Sequence, residues 1–211
     1  MRTLLFDLDN TLYPYELGVV ARIDRRINHY LCTRIGIRES EVDDLRRGLW
    51  TDYGTTLRGL MSRHSVNADE YLEYVHDIEL ADLLKPDPDL RILLGRLPGR
   101  KAIFTNASRA HANRVIRLLD LEGCFEAVIG LEDLAYVPKP VDDAYRTVLS
   151  RFRAEAADSA LIDDTRTNLA PAKRLGMQTF WVSDAADDGR DETIDHVIAS
   201  LHEIEAILAR V

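Results

Sequence analysis

The sequence predicts an α/β protein: a doubly wound parallel sheet with a helical unit inserted after its first strand. Short apolar runs recur at 3–8, 102–106, 127–131, 160–163 and 178–182, and helical spacing follows those of the second half. That alternation is what buried parallel strands joined by crossover helices produce. The interval 14–85 instead carries helical spacing almost throughout. With 211 residues, the chain exceeds the roughly 100–150 residues usual for one domain and falls short of two. One core at 1–13 and 86–211, with a smaller insertion at 14–85, is therefore expected.

Each element follows from local chemistry. The first strand, 3–8, is apolar until it meets Asp7 and Asp9. In 14–85, Val20, Ile23, Ile27, Tyr30 and Leu31 repeat at helical spacing, and structureless loops rarely exceed about 12–15 residues, so the interval reads as helices. Asp87-Pro88 offers a cap and an N1 proline ahead of Leu90, Leu93 and Leu94. Ser108 is placed to cap the stretch bearing Ala112, Val115, Ile116 and Leu119, and Gly176 to stop the helix of Ala172 and Leu175. After the strand at 178–182, the acidic stretch 183–192 reads as a solvated loop. A short edge strand at 195–198 and a helix at 201–208 complete the expectation.

Composition narrows the function. At 46% hydrophobic and 30% charged residues the chain has material for a proper core. Its net charge of -9 opposes a nucleic-acid polymer as partner, whereas a small anion beside a local cation remains compatible with it. Cys32 and Cys124 lack metal-ligand spacing and read as packing residues in a reducing compartment. The N-terminal run shows no signal-peptide pattern, and no window approaches the ~20 apolar residues of a membrane helix. The expectation is a cytoplasmic protein without a membrane segment; the sequence leaves its oligomeric state open.

The chemistry concentrates at strand ends. In Phe6-Asp7-Leu8-Asp9-Asn10-Thr11 two carboxylates lie two residues apart, on one side of a strand terminus. In open α/β sheets ligands bind beyond the carboxyl ends of the strands. Asp163-Asp164 ends another strand, Thr105-Asn106 a third, and Lys139-Pro140 follows a fourth. Like charges ~4 Å apart repel by about 4 kcal/mol at an effective dielectric near 20, so such acids call for a cation. Hard oxygen ligands without a His or Cys cluster favour magnesium. A carboxylate can attack a phosphoryl group, its neighbour can move the protons, Thr105 and the backbone near Asn106 can hold phosphate oxygens, and Lys139 adds fixed positive charge.

The ordered set Asp7-x-Asp9-x-Thr11, Thr105, Lys139-Pro140 and Asp163-Asp164 resembles the haloacid dehalogenase (HAD) superfamily of phosphatases over nearly the whole chain. The resemblance implies a Rossmann-like core and a helical cap at 14–85. It implies Asp7 as nucleophile and metal ligand, Asp9 as acid/base with its backbone carbonyl on the metal, and Thr105 on the phosphate. Lys139 would bind phosphate and nucleophile, Asp164 would ligate magnesium directly, and Asp163 directly or through water. Asp9 also speaks against a dehalogenase, which lacks a carboxylate there. More narrowly, Tyr53-Gly54-x-x-x-Arg58-Gly59-Leu60, Leu84-Lys85-Pro86-Asp87, Phe104-Thr105-Asn106-Ala107 and Asn10-Thr11-Leu12-Tyr13 resemble pyrimidine 5'-nucleotidases. That likeness implies a phosphate monoester such as UMP or CMP, with Tyr53 and Arg58 binding the substrate.

Other readings are weaker. A calcium loop beginning at Asp7 would need Gly where Leu12 stands and Glu where Gly18 stands. Read alone, Asp163-Asp164 would serve only to cap the next helix. A phospho-Asp receiver module carries its acidic pair early and its phosphorylated Asp on a later strand, with no large insertion. A sugar phosphate phosphatase or phosphomutase shares the nucleophile and stands as the nearer alternative. His64, His76 and His111 show no partner pattern and are expected at the surface or an interface. Trp50 and Trp181 are expected to pack in core or cap.

Overall fold

The computed structural model describes residues 3–183 and 191–209. Six parallel strands, β1 (Thr3–Phe6), β2 (Arg100–Phe104), β3 (Ala127–Ile129), β4 (Ser159–Asp163), β5 (Gln178–Val182) and β6 (His196–Ile198), form one sheet in the order β3-β2-β1-β4-β5-β6. The chain builds outward from β1 to β3, then crosses back to lay β4 on the other side of β1. This reversal leaves a crevice at the carboxyl ends of β1 and β4, where open α/β sheets bind ligands.

Both faces of the sheet are covered, which explains the near-continuous apolar runs. Alternation sends Leu4 and Phe6 to one face, against Leu90, Leu93 and Leu94 of α5 (Pro88–Arg96) and Ala112, Val115 and Ile116 of α6 (Arg109–Leu118). Leu5 points the other way, against Tyr145 and Val148 of α7 (Asp142–Phe152) and Leu169 and Ala172 of α8 (Arg166–Arg174). Burying one such leucine contributes about 1.5–3 kcal/mol. Asp87 accepts from the Leu90 amide at 2.9 Å, Ser108 accepts from that of His111 at 3.2 Å, and Gly176 takes φ 94° beyond α8.

Between β1 and α5 run α1 (Val19–Tyr30), α2 (Val42–Tyr53), α3 (Thr56–His64) and α4 (Ala68–His76). They share an apolar cluster that includes Tyr30, Leu31, Leu49, Leu57, Leu60, Tyr71 and Val75. Gly59 lets α2 and α3 approach closely, since a β-carbon there would lie 2.5 Å from Leu49 Cδ2. Val19 and Ile23 of α1 join the sheet's cluster instead, as do Leu80 and Leu84. The helical segment is thus pinned to the sheet at both of its ends.

Several boundaries differ from expectation. Strand β1 stops at Phe6 because the chain rolls over at once: the Leu12 amide donates to the Leu8 carbonyl at 3.0 Å. The run 127–131 ends as a strand at Ile129, with a 3-10 turn over Leu131–Leu134. The edge strand is present, and the terminal helix is shortened to α9 (Ile204–Leu208) after a 3-10 turn. Of the acidic stretch 183–192, residues 184–190 lie outside the described residues. Among the described residues no helix is long and apolar enough to cross a membrane.

Candidate active site

The crevice between β1 and β4 collects most of the expected site. Asp7 continues the sheet by one bond, its amide donating to the Ile162 carbonyl at 2.8 Å, and Asn10 then adopts φ 61°, which Asn tolerates, to turn the loop. Thr11 ties this loop to the neighbouring one by accepting from the Asp164 amide at 3.1 Å. Lys139 is almost fully buried and its Nζ donates to Asp7 Oδ1 at 2.8 Å and to Asp163 Oδ2 at 2.6 Å. Asn106 fixes the lysine's backbone from both sides, accepting from its amide at 2.8 Å and donating to its carbonyl at 3.0 Å. Thr105, at the end of β2, accepts from the Ala107 amide at 3.0 Å, which leaves its hydroxyl proton free for a ligand.

Asp7, Asp163 and Asp164 each offer an oxygen within 4.8 Å of the others. Burial pushes the Asp7 carboxyl well up, and Asp163 and Asp164 add to the effect while Lys139 opposes it. Burial and then Asp163 push Asp164 up to about 6. Lys139 is held above the ordinary lysine value although burial opposes it, because Asp163 and Asp7 outweigh the desolvation. Three carboxylates thus face one ammonium. That surplus of negative oxygen donors fits a hard divalent cation. Asp163 is the most committed of the three, accepting from Lys139, from the Thr165 amide at 2.9 Å and from Asn168 Nδ2 at 2.9 Å and 3.1 Å.

Asp9 lives differently. Its Oδ1 accepts from Tyr13 Oη and from His111 Nε2, the latter at 2.9 Å. Burial alone would raise its pKa, but His111 and then Tyr13 outweigh burial and hold the carboxyl below its ordinary value. His111 is 1% exposed and stacks on His76 of α4, which is 7% exposed, with ring centroids 4.5 Å apart. Of the expected places, surface or interface, both take an interface, buried where α4 meets α6, and both have partners there; His64 is exposed. Sequence reasoning missed His111 although a signal was available. It stands on the first turn after a cap already identified at Ser108, following a strand that neighbours β1.

A cavity of about 350 Å³ opens over these groups, lined from below by Asp7, Asp9, Thr105, Asn106, Lys139 and Asp164. The helical segment forms its other wall, with Ile23, Arg46, Trp50, Leu57 and Val75. Trp50 is 53% exposed and belongs to this wall, not to a packed interior as expected. Trp181 is half-buried and donates to the Asp164 carbonyl at 2.8 Å. Tyr53 and Arg58 are half-buried and do not line the cavity: Tyr53 Oη accepts from Arg63 at 3.3 Å, and the Arg58 amide donates to the Thr55 cap at 3.2 Å. Between them Gly54, with φ 83°, lies where a β-carbon would be 3.6 Å from Pro140, so the end of α2 rests on the lysine loop.

The start of α6 is fixed as tightly. The Leu131 amide donates to the Ala107 carbonyl at 3.0 Å, and the Arg109 amide donates to Glu132 at 2.9 Å. At Gly130 a β-carbon would sit 2.4 Å from the Arg109 nitrogen. The turn after β3 therefore abuts the backbone that delivers His111.

Comparison with known proteins bears on the family and the fold. The family model of the haloacid dehalogenase-like hydrolases matches residues 1–176. Phosphate metabolism protein 8 of Saccharomyces cerevisiae is 26% identical over 193 residues, which is 83% of this chain and 60% of that protein's length. A HAD phosphatase from Thermococcus onnurineus superposes with a TM-score of 0.67 at 20% identity, over 99% of this chain and 98% of its own. The L-2-haloacid dehalogenase of Xanthobacter autotrophicus gives the same TM-score, identity and coverage. These two structures speak for the fold alone.

Proposed function

The chain belongs to the haloacid dehalogenase-like hydrolases, and from that premise we propose that it is a magnesium-dependent phosphomonoester hydrolase working through an aspartyl phosphate on Asp7. The observation that carries the reading is the contrast between two carboxylates two residues apart. Asp7 lies against Lys139 and two further acids, whereas Asp9 is held by a phenol and an imidazole.

A carboxylate oxygen of Asp7 attacks phosphorus, the bond to the leaving oxygen breaks, and that oxygen takes a proton from Asp9. The dianionic substrate beside Asp9 raises its proton affinity, so the proton is taken up with the substrate. Water then attacks the phosphorus of the acyl phosphate, Asp9 accepts the water's proton, and Asp7 is regenerated as phosphate leaves. Lys139 steadies Asp7 and neutralises phosphate, while Thr105 and the backbone at Asn106 orient the phosphoryl oxygens. Asp7, Asp164, the Asp9 carbonyl and Asp163, directly or through water, would hold magnesium, which supplies positive charge to the transferring group when bound.

For the substrate we propose a nucleoside 5'-monophosphate, with the pyrimidines UMP and CMP first. Residues 14–85 act as the cap over the core formed by 1–13 and 86–211. Its exposed Trp50 offers a planar apolar face to a base, a contact worth about 1–3 kcal/mol. Tyr53 and Arg58 then act behind that wall. The free cysteines Cys32 and Cys124 suit the cytoplasm.

Phosphate release from UMP, CMP, AMP, glucose 1-phosphate and p-nitrophenyl phosphate, with magnesium and with excess chelator, tests the reading. Hydrolysis that needs the cation and favours UMP and CMP is expected, as is a loss of about tenfold in kcat/KM for UMP in Trp50→Ala with little change for p-nitrophenyl phosphate. Full activity in chelator would overturn the metal, and sugar phosphates as best substrates would overturn the nucleotide.

A further inference from the structure

One oxygen of Asp9 is fully engaged. Oδ1 accepts from Tyr13 Oη and from His111 Nε2, and among the described residues the structure gives Oδ2 no such donor. We propose that His111 is a positioning residue for the proton transfers of Asp9: it pins Oδ1 so that Oδ2 faces the cavity and carries the proton. This rests on the phosphohydrolase reading above.

The ring has little freedom to do otherwise. A carboxylate accepts only, so Nε2 bears the hydrogen in this contact. Nδ1 is buried without a partner, and an unpaired lone pair there costs less than an unpaired N–H would. The ring is clamped against rotation. His76 stacks on one face at 4.5 Å, its own Nδ1 donating to the Leu72 carbonyl at 2.8 Å. One turn further along α6, Arg114 donates to the carbonyls of His76 at 3.0 Å and Ile78 at 2.6 Å. The histidine that orients Asp9 is therefore gripped by the end of the helical segment. During turnover His111 keeps its hydrogen; the proton that reaches the leaving oxygen comes from Asp9 Oδ2, and the proton of the attacking water returns to it.

Two substitutions divide the ring from the donor. His111→Phe keeps the stacked ring and loses the N–H; His111→Gln loses the ring and places an amide N–H near the position of Nε2. With UMP as probe, His111→Phe should lower kcat by about 10–100-fold, the scale on which such orienting partners act. Inhibition by inorganic phosphate, which reports an intact fold and phosphate site, should be unchanged. His111→Gln should turn over at least about tenfold faster than His111→Phe, although it packs less well. In an Asp9→Asn background His111→Phe should cost nothing further, because both changes remove one function.

A Phe variant as fast as wild type, a Gln variant no faster than Phe, or an undiminished loss in the Asp9→Asn background would each overturn the inference while leaving the phosphatase reading intact. A wild-type protein that releases no phosphate across the substrate panel would overturn both.

Discussion

The two halves of the site are built from the same residue type and share almost nothing else. On the Asp7 side the groups are charged or strongly polar: Lys139, Asp163 and Asp164 come from strand ends or the segments after them, and Asn168 of α8 stands behind Asp163. On the Asp9 side the partners are a phenol and an imidazole, and the imidazole leads through His76 into the helical segment. The result is a carboxyl pushed up on one side and one held down on the other. Both directions hold without a cation: attack by Asp7 needs its charged form, which Lys139 favours and a bound cation would favour further, and Asp9 would gain its proton only beside the dianionic substrate. The comparison also separates what is fixed by the sheet from what depends on where the helices rest.

The contrast can be broken outright at its first member. Asp7→Asn should reduce phosphate release from UMP by about 10⁴-fold or more, the scale of losing an attacking group, with no phosphoenzyme trapped by rapid acid quench. A folded variant with near wild-type turnover would remove the distinction between the halves. The next effect is on folding. Lys139 is the sole ammonium bonded to Asp7 and Asp163 among the described residues, so Lys139→Met leaves buried carboxylates uncompensated and should cost about 3–5 kcal/mol in urea unfolding at neutral pH with chelator present. Unchanged stability would mean that the lysine is not what balances this half.

The smallest effect sharpens the comparison by sign. Asp164 sits at about 6 instead of near 3.8. A carboxyl raised by folding binds its proton more tightly when folded, so its contribution is present at low pH and lost as pH rises from about 4 to about 6. In chelator, wild-type stability should fall across that window by up to about 3 kcal/mol relative to Asp164→Asn. Asp9, held down, contributes with the opposite sign, and only below the ordinary carboxylate range. Thermal melts of both proteins from pH 4 to 7, without and with magnesium, check this. An identical slope in the two proteins would remove Asp164 from the charged half, and added magnesium should flatten the wild-type slope.

Much of the charged half was legible in the sequence because strand-end motifs are local. An apolar run that ends in acids places them at the sheet's edge whatever the rest of the chain does, and so Asp7, Asp163, Asp164, Thr105 and Lys139 could be gathered before any coordinates. The Asp9 half was not legible in the same way. His111 is 102 residues from Asp9, and its contact depends on how α6 rolls against β1, which no short spacing encodes. The cavity wall shows a second limit. Tyr53 and Trp50 both lie on α2, but Gly54 turns the chain onto Pro140 while Tyr53 is drawn to Arg63, so the aromatic that reaches the cavity is Trp50. The resemblance points to Tyr53, and Trp50 on its own reads as packing; which of the two faces the cavity depends on how α2 packs.

Gly130 carries a consequence for anyone who tries to make this protein hardier. Its backbone lies at φ -91° and ψ 175°, which any residue adopts, so a survey of dihedral angles would nominate it for replacement by alanine, a change that usually stabilises by about 0.4–1 kcal/mol through the unfolded chain. Here the added methyl would meet the Arg109 backbone at 2.4 Å and push the first turn of α6 away from the sheet. The toll would surface at a distance, in a histidine displaced from Asp9. A glycine that looks interchangeable by conformation is thus a spacer whose thickness sets the reach of another element.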